Sequence, residues 1–375
     1  MKVLMTGRGD VFERPGGDTV QMVETSNGLK QLGVEVTISS KVPAIDPCYD
    51  LYHVFNCDRL ETYEQCKAVK SIGKPLLLST VYWDKSEFRR MGVDVNLFLN
   101  LPLRFAHMVR FGDLVTDAIV AAVRDGCPKT GVKDPKRPFS SRTIVRSNLA
   151  LCDLLLPNSV AEANLLSSQF GVAPKRIRVI PNGVDSDRMQ ADRTEIVRKY
   201  GVEDFVLCVG RIEDRKNTIR LIRACKLERL QLVLVGRLDA RSPYGQRVSK
   251  EGKDAGALFI DELPSYSPLL GSAYAAAKVH ALPSWYETPG LSSLEAASLG
   301  CLIVSTDRGS ARDYFGELAS YCSPRSVESI RAALRREANL DSTSRRDALK
   351  EMISSKYTWT GAARLTYNAY REIVE

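Results

Sequence analysis

The sequence predicts an α/β protein built from two Rossmann-like halves, each with a parallel β-sheet. Short apolar strand patterns alternate with amphipathic helical patterns along the whole chain, which is typical of parallel sheets covered by helices. The strand series also starts twice, and 375 residues exceed one ordinary core but suit two domains of average size. Hydrophobic residues make up 44% and charged residues 26% of the chain, as in soluble globular proteins.

The first half carries a strand, a helix and a second strand, followed by three further strands. Asp18 can cap the first helix with Gln21 three positions later, and Gly33 ends that helix before the second strand. The predicted strands of this half cover residues 3–5, 34–38, 51–55, 76–78 and 154–156.

A glycine-rich loop, residues 6–18, joins the first strand to the first helix. It is too long for the G-x-G-x-x-G turn, and the second strand ends in Ser39-Ser40 without the acid that would bind a dinucleotide ribose, so we expect no nicotinamide cofactor. Gly16 and Gly17 would let a ligand approach the backbone at the start of the helix. A turn that merely needs positive φ explains these two glycines equally well.

The second half restarts the strand series after a turn. Pro-Asn-Gly at residues 181–183 supplies turn chemistry after an apolar strand, so we place the join after residue 184 and predict domains of residues 1–184 and 185–355. The tail from Trp359 to Ile373 predicts one last amphipathic helix. The predicted strands of the second half cover residues 205–209, 232–235, 258–260, 279–282 and 302–304.

Composition disfavours several cellular settings. The chain enters a strand directly and has no 18-residue apolar run, so we expect neither a signal peptide nor a transmembrane helix. Nine cysteines are scattered without C-x-x-C spacing, which favours buried free thiols in a reducing cytoplasm. The net charge of +8 permits anionic partners of any kind.

Metal-dependent and hydrolase chemistry has little support in the sequence. No His, Cys, Asp or Glu cluster has metal-ligand spacing, and Asp185-Ser-Asp187 directly follows the turn as a solvated linker, so we expect no required metal or cofactor. His53 and His280 lie in apolar strand patterns and are expected to be structural. A Ser-His-Asp hydrolase is disfavoured because no G-x-S-x-G turn occurs.

The most informative segment is residues 284–295, which places Glu287 and Glu295 around the predicted start of a helix. The free N–H groups and the helix dipole there favour a phosphate or diphosphate. The carboxylate of Glu295, about one turn into the helix, would suit vicinal hydroxyls, and that of Glu287 would face another part of the ligand. For an isolated pair of acids, a dipole-stabilising Glu295 and a solvated Glu287 would be the simpler explanation. The N–H groups belong to Gly290, Leu291 and Ser292.

Two cations follow the first strand of the second half. Arg211 and Lys216 come at the carboxyl end of the strand at residues 205–209, where open α/β sheets place ligands. Together they would neutralise a departing diphosphate. Ordinary surface charge is the alternative, and it would be preferred if the pair stood alone.

Taken together, these motifs resemble those of the retaining glycosyltransferases of family 4, which have the GT-B fold. The resemblance rests on the glycine-rich first loop, the turn at residues 181–185, the Gly-Arg-x5-Asn segment beginning at Gly210, and the Glu-x7-Glu unit. It covers nearly the whole chain, most strongly residues 180–324. It implies two Rossmann-like domains facing an interdomain cleft, with a last helix, residues 356–375, crossing back onto the N-terminal domain.

The resemblance also implies roles for individual residues. Arg211 and Lys216 would hold the diphosphate of a nucleotide-sugar donor, with amides at residues 290–292 and close approach at Gly16 and Gly17. Glu295 would bind the ribose hydroxyls and Glu287 the donor sugar, and Asp18 would help to position sugar or acceptor. The nucleobase would meet backbone near Arg237 and Ile260.

One segment departs from the family pattern. Where the family commonly has Thr-x-His-Asp, this chain has Ser79-Thr-Val-Tyr82-Trp83-Asp84, so Tyr82 or Trp83 stands in the place of a histidine that touches sugar. Because a phenol donates a hydrogen bond but is a poor base near neutral pH, we expect Tyr82 to position substrate.

The expected reaction is transfer of a sugar to an acceptor hydroxyl with retention, by attack on the same face assisted by the leaving phosphate. A sugar-nucleotide epimerase or a phosphorylase of the same fold remains an alternative. A non-enzymatic binder of anionic surfaces is a second one. Nucleic acid is not expected as a partner, because no aromatic-interleaved basic motif occurs and the acids at residues 287–295 would repel its backbone.

An acceptor on a membrane is suggested by residues 85–146, which hold 12 Lys and Arg against 6 acids. Apolar residues lie among these cations, a mixture that suits peripheral binding to an anionic bilayer at its cytoplasmic face, although a buried apolar face explains it slightly better. The acceptor would then be a lipid-linked glycan or a lipopolysaccharide precursor, and otherwise a soluble glycan. The residues concerned are Phe88, Leu97, Phe98, Leu99, Leu101, Leu103, Phe105 and Phe111, with Arg89, Arg90 and Arg104 as the cations to test.

Overall fold

The computed structural model describes residues 1–40, 47–91, 141–189, 192–339 and 343–375. Within them lie two all-parallel sheets. The N-terminal domain has the order β2-β1-β3-β4-β5, with β1 Lys2–Thr6, β2 Glu35–Ser39, β3 Leu51–Phe55, β4 Leu76–Ser79 and β5 Leu154–Leu156. The C-terminal domain has the order β11-β10-β9-β6-β7-β8, with β6 Val206–Val209, β7 Leu232–Val235, β8 Leu258–Ile260, β9 Val279–Leu282, β10 Leu302–Thr306 and β11 Ser320–Cys322.

Helices connect the strands of each sheet. Those of the N-terminal part are α1 Gly17–Gln31, α2 Leu60–Ser71, α3 Ser86–Met91, α4 Ser141–Leu151 and α5 Val160–Phe170. The C-terminal part has α6 Thr194–Tyr200, α7 Thr218–Glu228, α8 Pro243–Asp254, α9 Pro268–Ala276, α10 Leu291–Ser298, α11 Ala311–Phe315, α12 Val327–Asn339, α13 Thr343–Lys356 and α14 Trp359–Val374. None of the described helices is both long and apolar enough to cross a membrane.

The strands inside each sheet are largely buried because helices cover both faces of the parallel sheets, whereas the edge strand β2 exposes Glu35 and Thr37. All five residues of β3 and of β10 are buried, as expected for strands without a solvent face. The two predicted strand series are confirmed to within about two residues at their ends, while β11 was not predicted. The strand expected at residues 177–180, before the turn, is not formed, since Ile177 makes only an isolated bridge with Leu155. Parallel pairing brings the carboxyl ends of all strands in a sheet to one edge, where α/β proteins place their ligands.

Both strand histidines are core residues, as the sequence pattern predicts. The ring of His53 is hydrogen-bonded on both nitrogens, with 2.7 Å between Nδ1 and the Tyr370 hydroxyl and 2.9 Å between Nε2 and the Ser79 hydroxyl. Burial lowers the pKa of His53 to about 3. Burial does the same for His280, whose Nδ1 lies 3.3 Å from Ser293 Oγ.

The start of α1 differs from the prediction. Its N-cap is Gly16, whose N–H donates to Thr19 Oγ1 at 3.0 Å, so the prediction of Asp18 as the cap with Gln21 at N3 is wrong. Asp18 lies in the first turn instead, where Arg8 Nε donates to its carboxylate at 3.0 Å. The buried arginine therefore engages the side chain that the capping pattern had assigned to the helix.

The chain crosses between the domains twice, at adjacent places. The N–H of Val184 donates to the carbonyl of Tyr357 at 2.9 Å, and a Cβ at Gly183 would overlap the backbone of Thr358. Helix α14 then packs along α1 in the N-terminal domain, with Trp359 and Tyr370 buried in its core. The last helix thus returns to the N-terminal domain.

Candidate functional site

Helix α10 starts at the cleft directly after the loop that follows β9. Gly290 precedes it with a φ of 87°, in the left-handed region that favours glycine. The Ser292 hydroxyl donates to the carbonyl of Val209 at 3.0 Å, which fixes the first turn of α10 against the end of β6. Gly300 follows the helix with a φ of 79°, the left-handed conformation that glycine commonly supplies at C′. The free amides at residues 290–292 are therefore held at the carboxyl edge of the sheet.

The glycine-rich loop of the other domain faces this helix start. A Cβ built on Gly17 would lie 3.8 Å from Leu291 Cδ1, and one built on Gly16 would lie 3.8 Å from Arg211 Nη2. The structure therefore brings these four residues together across the cleft, although they come from two domains. Larger side chains at the two glycines would fill the space between the amides of α10 and the N-terminal domain.

Glu287 is a buried, ionised carboxylate. Lys216 Nζ donates to its Oε1 at 2.7 Å, and Arg215 Nη1 lies 3.5 Å from the same oxygen. Burial alone would raise the pKa of Glu287, but the charges of the two cations and the hydrogen bond from Lys216 hold it below the ordinary value. The simpler explanation of Glu287 as a solvated loop residue is therefore wrong.

The backbone of Glu287 is fixed by the segment after β10. Its N–H donates to the carbonyl of Arg308 at 3.1 Å, and its carbonyl accepts from the N–H of Ser310 at 3.0 Å. Between these partners lies Gly309, where φ is 130° and a Cβ would overlap the carbonyl oxygen of Glu287. Only glycine fits at position 309, so residues 308–310 determine the position of the Glu287 backbone.

Glu295 lies on α10 facing α9. The Tyr274 hydroxyl donates to its Oε2 at 2.6 Å, which leaves Oε1 available to another donor. Burial raises the pKa of Glu295 to about 7, against the opposing effect of the tyrosine hydrogen bond. One carboxylate oxygen is thus oriented by a buried phenol.

The two predicted cations have different surroundings. Arg211 is exposed, and no carboxylate lies within ion-pair distance of it in the part of the chain that the structure describes. Lys216 is bonded to Glu287 instead of standing free. An ammonium group has three N–H donors, so this bond leaves two of them for a further acceptor.

Asn217 was not assigned a role from the sequence, yet its side chain joins the loop that carries Lys216 to two neighbouring loops. It adopts the left-handed conformation with a φ of 60°, and its side-chain N–H groups donate to the carbonyls of Pro283 and Pro324, each at 2.9 Å. The asparagine of the Gly-Arg-x5-Asn segment therefore fixes the loop that carries Lys216 against the loop that carries Glu287.

Arg237 and Ile260 lie at the ends of neighbouring strands. The carbonyl of Arg237 accepts from the N–H of Ile212 at 3.1 Å, and that of Ile260 accepts from the N–H of Gly236 at 3.0 Å. Each carbonyl oxygen retains a second lone pair. The structure places both at the same edge as Arg211, but on the β7–β8 side.

Tyr82 is bound within the N-terminal domain. Its hydroxyl donates to Gln169 Oε1 at 2.7 Å, its ring packs edge-on against Phe170, and burial raises its pKa to about 12. Trp83, the next residue, is half-buried. The hydroxyl of Tyr82 therefore has a protein partner on α5.

A second buried carboxylate, Glu162, went unnoticed in the sequence. It is fully buried at the first turn of α5 and accepts from the N–H groups of Tyr82 at 2.6 Å and Asn158 at 2.9 Å, and from the Thr80 hydroxyl. Ser159 caps the helix by accepting from the N–H of Glu162. The Ser-x-x-Glu pattern at residues 159–162 is a sequence signal for such a cap and would have found it.

Arg8 is a third residue to which the sequence analysis assigned no role. Its side chain is 8% exposed and forms ion pairs with Asp18, at 3.0 Å, and with Asp10, at 2.7 Å. Asp18 therefore faces a buried cation, and the pair holds the glycine-rich loop against the start of α1.

The described residues offer no clustered metal ligands and no disulfide. No group of three or more His, Cys, Asp or Glu side chains is placed to hold a metal ion among these residues. The eight cysteines in these ranges are free, and seven of them are buried. The expectation that no metal or cofactor is required stays a prediction.

Part of the predicted membrane-facing segment is accounted for otherwise. Phe88 lies on α3 with ring centroids 6.3 Å from Trp285 and 6.2 Å from Tyr286, so it packs against the loop before Glu287. Arg89 is exposed on the same helix. The side chain of Arg90 and the residues Leu97, Phe98, Leu99, Leu101, Leu103, Arg104, Phe105, His107 and Phe111 lie outside what the structure describes.

Comparison with known proteins gives matches in both domains. A family model described as "Glycosyl transferases group 1" matches residues 190–353, and one described as "Glycosyltransferase Family 4" matches residues 126–188. A D-inositol 3-phosphate glycosyltransferase of Geodermatophilus obscurus is 34% identical over 53% of this chain and 49% of its own length.

A second relative matches a similar share of this chain. It is an N-acetylgalactosamine-N,N'-diacetylbacillosaminyl-diphospho-undecaprenol 4-alpha-N-acetylgalactosaminyltransferase of Campylobacter jejuni, 28% identical over 61% of this chain and 62% of that protein. The alignments therefore span about half and just under two thirds of the lengths of these two relatives.

A solved structure agrees over the entire fold. HepE of Anabaena in complex with UDP-glucose superposes with a TM-score of 0.67, covering 99% of this chain and 100% of that one, at 15% sequence identity. Identity this low carries information on the fold alone. Because the fold and both family matches agree with the motif order in the sequence, the chain has the GT-B fold and is similar to the glycosyltransferases of family 4.

Proposed function

We propose that this protein transfers a sugar from a nucleoside-diphosphate donor to an acceptor hydroxyl, with retention of configuration at the anomeric carbon. The proposal rests mainly on one observation. Gly16 and Gly17 of the N-terminal domain lie opposite Arg211 and Leu291, where the N–H groups at the start of α10 are located. This arrangement suits a diphosphate between two carboxylates. The UDP-glucose bound to HepE, which has the same fold, supports the choice of donor class.

The diphosphate would be held by three kinds of donor. The amides at residues 290–292 carry the positive end of the helix dipole, Arg211 supplies an exposed guanidinium, and Lys216 has N–H groups left beyond its bond to Glu287. Positive charge at this place stabilises the leaving oxygen as the bond to the sugar breaks. Lys216 would therefore bind the donor phosphate without releasing Glu287.

The two glutamates would bind hydroxyl groups on either side. Glu295, with one oxygen held by Tyr274, would accept hydrogen bonds from the ribose, and Glu287 from the donor sugar. The nucleobase would lie along the ends of β7 and β8 near Arg237 and Ile260. Both side chains would act as acceptors for hydroxyl groups, and the ionised form offers more acceptor sites than the protonated one.

The reaction proposed for this site breaks the bond between the anomeric carbon and the β-phosphate oxygen. The acceptor oxygen forms its bond to the same face of that carbon, and its proton passes to the departing phosphate. The cleft would exclude the water that otherwise hydrolyses the donor. Asp18, Tyr82 and Trp83 would act on the acceptor side by positioning, since each belongs to the N-terminal domain.

The acceptor is proposed to be a glycan, free or lipid-linked. The name of the Campylobacter jejuni relative gives it a lipid-diphosphate-linked acceptor, which supports the lipid-linked class for this chain. An anionic membrane surface at the cytoplasmic face is proposed as the place where such an acceptor is met.

The test is a panel of nucleoside-diphosphate sugars, beginning with UDP-glucose, incubated with the full chain and glycan or lipid-linked acceptors. Proton NMR of the product gives the anomeric configuration, and the proposal expects that of the donor to be retained. Formation of the inverted anomer would contradict the retaining mechanism. Conversion of the donor sugar in the absence of any acceptor would instead favour an epimerase.

A further inference from the structure

The carboxylate of Glu87, on helix α3 of the N-terminal domain, binds two arginines of the C-terminal domain. Glu87 Oε2 accepts from Arg308 Nε at 2.8 Å, and its Oε1 accepts from Arg325 Nε at 2.7 Å. Burial would raise the pKa of Glu87, but the two arginine hydrogen bonds hold it below the ordinary value. An ionised carboxylate therefore joins two cations of the opposite domain.

One of these arginines belongs to the segment that fixes Glu287. The carbonyl of Arg308 accepts from the N–H of Glu287 at 3.1 Å, and two residues later Ser310 donates to the Glu287 carbonyl at 3.0 Å. Thus the side chain of Arg308 is held by Glu87 across the domains and by the neighbouring Asp307 at 2.7 Å, while its backbone holds Glu287. A displacement of α3 would therefore act on Glu287 through Arg308.

A second contact from α3 reaches the same loop. Phe88, next to Glu87, packs against the rings of Trp285 and Tyr286, the two residues immediately before Glu287. Helix α3 therefore contacts the loop of Glu287 on one side through rings and on the other side through Arg308. These contacts are independent, since one is aromatic and the other ionic.

Helix α3 is itself anchored in its own domain. Asp84 accepts from the N–H of Ser86 at 2.8 Å and from Gln169 Nε2 of α5 at 3.2 Å, and Lys85 pairs with Asp58. The position of α3 therefore follows that of the N-terminal sheet. Glu87 and Phe88 therefore contact the C-terminal domain from a helix that the N-terminal domain holds.

We propose that Glu87 is a positioning residue, which acts through Arg308 to place Glu287 when the two domains are together. Partly exposed ion pairs contribute little to stability by themselves, so a purely stabilising role would make Glu87 nearly dispensable. The positioning role predicts instead a specific loss of turnover. Its kinetic consequence rests on the proposed sugar transfer, whereas the mechanical link does not.

The C-terminal domain offers a matched control in Glu228. Its carboxylate accepts from Arg331 Nε at 2.8 Å and from Arg335 Nη2 at 2.7 Å, and its side chain is 12% exposed against 20% for Glu87. Both glutamates thus lie between two arginines, but Glu228 joins helices of one domain. Glu87→Gln and Glu228→Gln remove the same charge in the same kind of setting.

The kinetic comparison uses the nucleotide-sugar from the panel that turns over fastest. We expect Glu87→Gln to lower kcat roughly 10- to 100-fold, as for a misplacement of about 1 Å at the reacting groups, with donor KM nearly unchanged. Glu228→Gln should retain the wild-type kcat. Arg325→Gln, at a side chain that is 48% exposed, should fold and give a smaller loss, because Arg308 still holds Glu87. Wild-type kcat in Glu87→Gln, or an equal loss in Glu228→Gln, would overturn the proposal.

An activity-independent measurement separates this proposal from the proposed function. Hydrogen exchange of the chain without substrate, followed by mass spectrometry, reports the Glu287 and Ser310 amides, whose bonds depend on the 308–310 segment. We expect faster exchange there in Glu87→Gln and not in Glu228→Gln. If exchange is faster in Glu87→Gln but the wild type is inactive on every donor, the sugar-transfer proposal is contradicted and the link between Glu87 and Glu287 is supported. Unchanged exchange alongside an active wild type would overturn the link.

Discussion

Replacing Lys216 with alanine should destabilise the protein by leaving a charge buried. The Glu287 side chain is 5% exposed, its nearest cation is Lys216 at 2.7 Å, and Arg215 follows at 3.5 Å. Removing one partner of a buried ion pair costs about 3–5 kcal/mol because the other charge stays behind unpaired. Since Arg215 remains, we expect the lower end of that range, about 3 kcal/mol, in denaturant unfolding at pH 7.

The double variant Lys216→Ala, Glu287→Gln tests that cause. A neutral amide at position 287 no longer needs a cation, so the double variant should regain part of the free energy of unfolding lost by Lys216→Ala alone. The coupling energy from wild type, the two single variants and the double variant measures the pair. If Glu287→Gln gives the Lys216→Ala background no stability back, the reasoning about the buried pair is refuted.

Turnover should not recover with stability. Under the proposed function, each single variant would remove a preorganised contact to the donor, and such a loss typically costs about 10²–10³ in kcat. The double variant should be no more active than either. Near wild-type turnover in any of the three, measured with donor well above its KM, would contradict the roles given to Lys216 and Glu287.

Three further predictions concern single sites. Burial raises the pKa of Glu295 from 4.5 to about 7, so the folded state binds the proton more tightly than the unfolded state. The free energy of unfolding should therefore fall as the pH rises from 4.5 to about 7, and Glu295→Gln should make that fall smaller. An unchanged pH dependence in Glu295→Gln counts against this prediction. Tyr82→Phe should lose about 1 kcal/mol in denaturant unfolding with its bond to Gln169 but keep transfer activity; loss of all chemistry with normal substrate binding would contradict this. Gly183→Ala should cost roughly 1–3 kcal/mol of unfolding free energy through overlap with Thr358, and Gly7→Ala, whose methyl has no atom nearer than 3.8 Å, serves as control; equal melting temperatures would refute it.

Local patterns were enough to predict the helix start of the site. A Pro-Gly pair before a helical pattern, a preceding apolar strand and Gly300 after it are signals within some 20 residues, and each depends on backbone preferences that the sequence carries directly. The two strand series and the returning last helix follow from the same kind of signal. Their existence was therefore predictable, and their ends to about two residues.

Long-range pairing was not predictable in this way. Glu287 is buried because Lys216, 71 positions earlier, and the segment around Gly309 meet it in space, and no periodicity encodes such a meeting. The same limit explains the cap of α1, where Arg8 competes for Asp18. Glu162 differs, since its Ser-x-x-Glu signal was local and was overlooked. Contacts of Glu87 with the opposite domain carry no local signal at all.

The start of α10, with Arg211 and the two loop glycines, is proposed to bind the diphosphate of a nucleotide-sugar. Titration calorimetry of the full chain with UDP, GDP and ADP, against the corresponding monophosphates, tests it most directly. We predict that at least one diphosphate binds more tightly than its monophosphate, raises the free energy of unfolding by about 2.7 kcal/mol at one hundred times its Kd, and loses most of its affinity in Arg211→Ala. Absence of binding by every diphosphate, or equal binding to wild type and Arg211→Ala, would contradict it.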